Sequence, residues 1–376
     1  MNIAVHWSGA QISPEGKIAG QDAGATLLRR LLRIFPDAVV LDPAAGAAAN
    51  GANAAASGAG NVGTTAQPAG PRSSDAVAVV SPESLAPDTV VITMDVHDTP
   101  ALWARLRKAG QPAPRLMNFV WLPVSTLDSA EEIAPVALSC ALFPTFANSE
   151  RTAGEIREMV NKWTVPPLAG RLKLGWVNLG FRLDHVQERR EPEVPVVLYP
   201  AIYLSARKRP DFFMDVLSRV RELIPLTVEM RLHEAHLVSE KAMRYSRLPW
   251  MHVGPLTDTR TSYYQALAHT TAFLATAAEE SYGLSYVEAL GAGALGVFPD
   301  VPWARALLPE NYPFLYPDGD EAAAAAMLTR VLTRTAQCRA DLDAACGGSF
   351  REWIAAHHSD DAFDREIVAA VQRWFG

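Results

Sequence analysis

The chain has 376 residues, 49% of them hydrophobic and 20% charged, with a formal net charge of −7. That length suits two domains of roughly 150–200 residues, each with enough apolar material for a core. The acidic balance disfavours a nucleic-acid partner, which demands a basic surface.

The first residues, Met1 to Trp7, lack the basic and long apolar regions of a signal peptide and read as a first strand. No apolar run reaches the ~18 residues that span a bilayer. Cys140, Cys338 and Cys346 lack CxxC spacing and read as reduced thiols. The expected location is therefore the cytoplasm, with peripheral contact at the inner face of the membrane left open.

Strand-like and helix-like runs then alternate, the pattern of parallel sheets with crossover helices. Strands are expected at Asn2–Val5, Ala38–Leu41, Val77–Val80, Val90–Met94, Leu116–Trp121 and Cys140–Phe143. Helices are expected at Ala23–Ile34, Pro100–Lys108 and Arg151–Lys162, the last capped by Asn148 or Ser149. In the first helix Leu27, Leu28, Leu31, Leu32 and Phe35 alternate with Arg29, Arg30 and Arg33. Such a basic amphipathic helix lays its apolar face on a sheet with the arginines in water, or lies against anionic lipid. Residues 43–75 are rich in Ala, Gly, Asn and Ser and carry no charge before Arg72. They bury too little apolar surface to offset ordering entropy, and a flexible surface insertion is expected.

Prolines 166, 167, 192 and 195 then interrupt the periodicity. The pattern predicts a first domain over 1–165, a linker over 166–194 and a second domain over 195–345. In that second part Val196–Ile202, Thr227–Leu232, Met251–Val253, Ala272–Thr276 and Leu295–Pro299 read as strands. Asp211–Leu223 reads as a helix with one apolar face, and helices end the chain.

The chemistry concentrates in Glu280-Ser-Tyr-Gly-Leu-Ser-Tyr-Val-Glu288, which follows a strand and opens a helix. Gly283 stands at the turn, so the first helical N–H groups are unpaired and form a seat for a diphosphate. Glu280 precedes the helix and Glu288 lies about a turn inside it. Both carboxylates suit acceptance of hydrogen bonds from sugar hydroxyls. His233 and His236 lack a third ligand nearby, and neither a GxGxxG nor a GxxxxGK[ST] fingerprint occurs.

This segment resembles the E-x7-E motif of retaining GT-B glycosyltransferases, above all family 4, and the small-residue helix and Leu295–Pro299 strand match its continuation. The resemblance implies an α/β fold of GT-B architecture: two facing Rossmann-like domains, with C-terminal helices over 346–376 returning to the first domain. It places the acceptor on the first domain and a nucleotide-sugar donor on the second. Glu280 would hold the donor sugar, Glu288 the ribose, and the backbone N–H groups of Ser281, Tyr282, Gly283 and Leu284 the diphosphate.

A second stretch, Tyr203-Leu-Ser-Ala-Arg-Lys-Arg-Pro-Asp211, resembles the family's G-R-L-x-x-x-K-G/R element. Lys208 falls on the family lysine, Ser205 and Arg207 beside it would join the donor site, and Tyr203 stands where the family has arginine. Gly9 and Gly20 suit the glycine-bearing loop that faces the donor. His97 is the candidate for the histidine that many relatives carry near the reacting sugar. Glu280, Lys208 and His97 thus form the expected catalytic set, with no metal and no cofactor besides the donor. The resemblance implies retaining transfer of a sugar to an unspecified hydroxyl acceptor in glycan or glycoconjugate biosynthesis. A catalytically lapsed sugar-nucleotide-binding or scaffold protein and a GT-B epimerase are the competing readings, and the oligomeric state is not legible.

Overall fold

The computed structural model describes residues 1–20, 22–43, 76–257 and 259–376. All of the expected surface insertion except Pro43 lies outside the described residues.

The first half builds a sheet from β1 (Ile3–His6), β2 (Val39–Leu41), β3 (Val79–Val80), β4 (Val90–Thr93), β5 (Arg115–Val120), β6 (Thr145–Ala147) and β7 (Leu174–Trp176). Its order is β3-β2-β1-β4-β5-β6-β7, and every pairing is parallel. The second half builds another from β8 (Val196–Tyr199), β9 (Thr227–Leu232), β10 (Met251–Pro255), β11 (Ala272–Leu274), β12 (Leu295–Pro299) and β13 (Leu315–Tyr316). Its order is β10-β9-β8-β11-β12-β13, again wholly parallel. The central strands are buried along their whole length. That burial explains their near-continuous apolar runs, because crossover helices cover both faces of a parallel sheet. Strand order reverses between β1 and β4 and between β8 and β11. Open α/β sheets bind ligands outside the carboxyl ends of their strands at such reversals.

Three expectations need correction. Cys140–Phe143 is not a strand: through Leu142 it closes the helix Ala130–Leu142, capped by Ser129 and carrying Glu131 and Glu132 in its first turn. A short apolar run cannot by itself separate a buried strand from a buried helix. Of the C-terminal helices, only Asp360–Phe375 returns to the first sheet, where the Phe363 ring lies 5.7 Å from Phe119 and 6.1 Å from Phe146. The preceding helix, Phe350–His357, packs instead on the second half, with Phe350 buried 6.2 Å from Tyr312. Finally, the arginines of the helix Ala23–Ile34 do not all stand free in water: Arg29 and Arg30 are part-buried, and only Arg33 is exposed. Arg30 bonds the carbonyls of Leu179, Gly180 and Asp360 and sits 4.1 Å over Phe363, while Arg33 pairs with Asp360 and Asp364. Arg29 bonds the carbonyls of Ile18 and Gly20. The proline-rich 166–194 stretch supplies β7 to the first sheet. No helix among the described residues is long and apolar enough to cross a membrane.

Candidate functional site

A cavity of about 510 Å³ lies between the two halves, lined by residues that follow the carboxyl ends of β5, β6, β8 and β11 and by the start of the helix Ala23–Ile34. Its charged floor belongs to the second half. Two bonds tie the loop before the helix Pro210–Leu223 to the loop after β11. Ala278 N–H donates to the Arg207 carbonyl at 2.8 Å, and the Thr276 hydroxyl donates to the Lys208 carbonyl at 2.7 Å. This stitching brings the Lys208 ammonium onto the Glu280 carboxylate, which also accepts the Tyr286 hydroxyl at 3.1 Å. Tyr286 is held in turn by stacking on Trp303, 5.3 Å between centroids. Arg207 lines the cavity with an exposed side chain.

Gly283 takes the left-handed conformation, φ 83°, at the mouth of the helix Leu284–Gly291. A Cβ there would stand 2.7 Å from the Tyr286 ring, so only glycine makes this turn. The first N–H groups of that helix are not consumed by its own ladder and lie at the cavity wall. Inside the helix Glu288 is buried and ion-paired with Arg260, whose guanidinium lies over the rings of Tyr263 and Tyr264. Burial works against the Arg260 charge. The Glu288 carboxylate, with Tyr264 and Tyr263 adding to it, outweighs that burial and leaves this guanidinium protonated more firmly than usual.

The first half contributes Asp22, Gly24 and Leu27 from one helix start, Trp121 from the end of β5 and Asn148 from the end of β6. Asp22 caps its helix, accepting the Ala25 N–H at 2.9 Å. Gly24 must lack a side chain, since a Cβ would fall 2.2 Å from the Trp7 ring beneath it. Tyr203 lies across the cleft between His233 and His236, 5.5 and 5.3 Å from their rings. Burial raises its phenol pKa, and the charge of Asp22 adds to the effect.

The structure thus brings Glu280, Lys208, Glu288, Arg207, Ser281, Tyr282, Gly283 and Leu284 to one cavity. It leaves His97, Ser205, Gly9 and Gly20 off the lining. The turn after β4 is the reason for His97: it directs Asp95 and Asp98 toward the buried His6, and His97 faces outward. Ser205 caps the short turn Ala206–Lys208 through its carbonyl, and Gly24 holds the wall expected for Gly9 and Gly20. The side chains of Ser281 and Tyr282 are bonded within the protein, and the expectation for these residues concerns their backbone N–H groups. The Ser281 hydroxyl donates to the Trp121 carbonyl at 2.8 Å. The buried Tyr282 hydroxyl lies 2.6 Å from His358 Nδ1 and accepts the Gly180 N–H at 3.2 Å. Any contribution of these two residues to a ligand is therefore through the backbone.

Sequence reasoning missed Arg260, Asp22, Asn148, Arg151 and Tyr286. The capping position of Asp22, the reading of Asn148 as a helix cap and the spacing of Arg260 to the helix cap Thr259 carried a local signal, and none of them points to a cavity. Among the described residues one group of potential metal ligands occurs, His6, Asp95 and Asp98, with ligand atoms within 4.8 Å of one another. It lies outside the cavity lining, and Asp95 already accepts the Ser8 N–H at 2.5 Å.

Comparison of the whole fold with solved structures gives GT-B glycosyltransferases. HepE of Anabaena, solved in complex with UDP-glucose, superimposes with a TM-score of 0.68 at 14% identity over 99% of this chain and 100% of that one. Sucrose-phosphate synthase of Thermosynechococcus elongatus gives 0.64 at 14% identity over 100% and 99%. A UDP-forming trehalose-phosphate synthase of Burkholderia xenovorans gives 0.55 at 12% identity over 78% and 76%. No family model and no curated protein sequence matches the chain. The fold is the GT-B fold.

Proposed function

We propose that the chain is a retaining glycosyltransferase that moves a sugar from a nucleoside-diphosphate sugar to a hydroxyl acceptor, in cytoplasmic glycan or glycoconjugate synthesis. One observation carries the reading: Lys208, Arg207 and the start of the helix Leu284–Gly291 converge on one cavity with Glu280 and Glu288. Two cations and a positive helix end suit a diphosphate, and two carboxylates suit hydroxyl groups. In this reading residues 195–345 hold the donor and residues 1–165 the acceptor.

The bond between the anomeric carbon and the diphosphate oxygen breaks, and the acceptor oxygen forms the new bond on the same face. The acceptor proton passes to the departing diphosphate oxygen. Lys208 and Arg207 stabilise the negative charge that grows there, the task that a divalent cation has in other transferases. Glu280 orients the sugar, and Glu288, fixed by Arg260, accepts from the ribose hydroxyls. A uridine diphosphate is the first donor class to try, because HepE was solved with UDP-glucose and the Burkholderia synthase is UDP-forming.

The test is calorimetric titration with UDP, GDP and ADP, followed by transfer assays with the matching sugars. One nucleotide binds selectively. Lys208→Ala and Glu288→Ala each weaken it by about 10-fold or more, as loss of one charge-assisted contact requires. Turnover survives EDTA. Absence of nucleotide binding by the folded protein overturns the reading. A second reading rests on Tyr203, which stands where a second cation is expected: binding without turnover would mark a lapsed sugar-nucleotide-binding protein, and a changed sugar in the recovered donor would mark an epimerase.

A further inference from the structure

Arg151 lies outside the cavity, in the first turn of the helix Glu150–Trp163, yet reaches the loop that carries Glu280. Its guanidinium donates to Glu279 Oε1 at 2.5 Å and to the backbone carbonyl of Glu280 itself. It also pairs with Glu155 Oε1 at 2.6 Å, one turn along its own helix, and touches the Ser125 hydroxyl at 3.4 Å. Glu279 Oε1 closes the clasp by accepting the Glu280 N–H at 3.0 Å. The peptide on both sides of Glu280 is therefore held, its N–H by Glu279 and its carbonyl by Arg151. On the far side Ser281 is anchored to the Trp121 carbonyl, which Asn148 also bonds at 3.1 Å. Of the three residues Glu279 to Ser281, only Glu280 sends its side chain to Lys208, and both neighbours are fastened to the first half.

We propose that Arg151 is a positioning residue, a clasp from the first half that sets the Glu280 carboxylate for the sugar transfer; the proposal rests on the glycosyltransferase reading. The chemistry of the contacts carries it. Two carboxylates, Glu155 and Glu279, meet across the junction of the halves with one guanidinium between them. Burial and the neighbouring Glu279 charge push the Glu155 carboxyl up, while Arg151 pulls it down. Without Arg151 the two acids repel, and the Glu280 carbonyl loses its donor. A planar guanidinium can serve two carboxylates and a carbonyl together, whereas a lysine ammonium is a point charge on a flexible stem.

The test compares the full-length protein with Arg151→Ala, Arg151→Lys and Glu279→Gln, by hydrogen exchange over residues 278–283 and by nucleotide affinity, kcat and donor KM. Thermal melting confirms that each variant is folded. Arg151→Ala is expected to lose exchange protection in that loop. Its kcat should fall by about 10- to 100-fold, as a misplaced reacting group does, with nucleotide affinity within about twofold of the parent. Arg151→Lys should fail to restore the rate. Glu279→Gln should lower kcat in the same direction, and adding Arg151→Ala to it should cost less than the two single effects combined. Unchanged exchange and kcat in Arg151→Ala, or equal losses in nucleotide affinity and kcat, would overturn the clasp. Lost protection in a protein whose parent neither binds nucleotide nor turns over would support the clasp and defeat the glycosyltransferase reading.

Discussion

Glu288 shows how a single side chain takes two demands. It is buried within a helix and already neutralised by Arg260, so its carboxylate is oriented before any ligand arrives. Removing it leaves a guanidinium over two tyrosine rings with its ion-pair partner gone. Because the Arg260 side chain is 39% exposed, water recovers part of that loss. We expect Glu288→Ala to cost about 1–3 kcal/mol of stability, measured by urea denaturation. The identity of Glu288 as a candidate was legible from its spacing to Glu280. Its buried partner was not, because Arg260 comes from a different helix.

At the scale of elements the decisive piece is the strand–turn–helix unit from β11 through Gly283 to Gly291. Its pieces are neighbours in sequence, which is why the apolar run, the glycine and the small-residue helix could be read from one segment. Gly283→Ala would put a methyl group into the Tyr286 ring and a side chain into the left-handed region. The strain is about 1–2 kcal/mol for the backbone alone, with the clash added. We expect a lowered urea midpoint and weakened nucleotide binding together, since the same turn presents the helix start. Retained binding at full strength would show that this helix start does not hold the diphosphate. The helix Ala130–Leu142 marks the limit of such reading: its apolar end suited a strand equally well until packing against its neighbours decided.

For the whole molecule, His358 ties the turn before the last helix to the second half. Its Nε2 lies 3.0 Å from the Leu307 carbonyl, which can only accept, so Nε2 carries the ring proton. Nδ1 therefore accepts from Tyr282. Burial drives the His358 pKa from 6.5 down to about 4, against the Leu307 bond, which raises it. The folded ring stays neutral while the unfolded one gains a proton below pH 6.5. Its contribution is thus fully present above 6.5 and is lost as pH falls through about 4, a swing of roughly 3 kcal/mol. Urea midpoints from pH 7.5 to 4 should show the His358→Gln variant converging on the parent as the pH drops; a constant gap would refute the assignment.

The sequence by itself determined the alternation of strands and helices, the turn at Gly283 and the candidacy of Lys208, Glu280 and Glu288. Each of these is a local matter of periodicity, backbone freedom and residue chemistry. Only the tertiary structure decided that Lys208 meets Glu280 across 72 residues of chain, that His97 faces away, and that Arg29, Arg30 and Arg33 bind the chain's own carbonyls and acids. A charged side chain takes whichever partner folding brings within a few ångströms, and that partner need not lie near it in sequence.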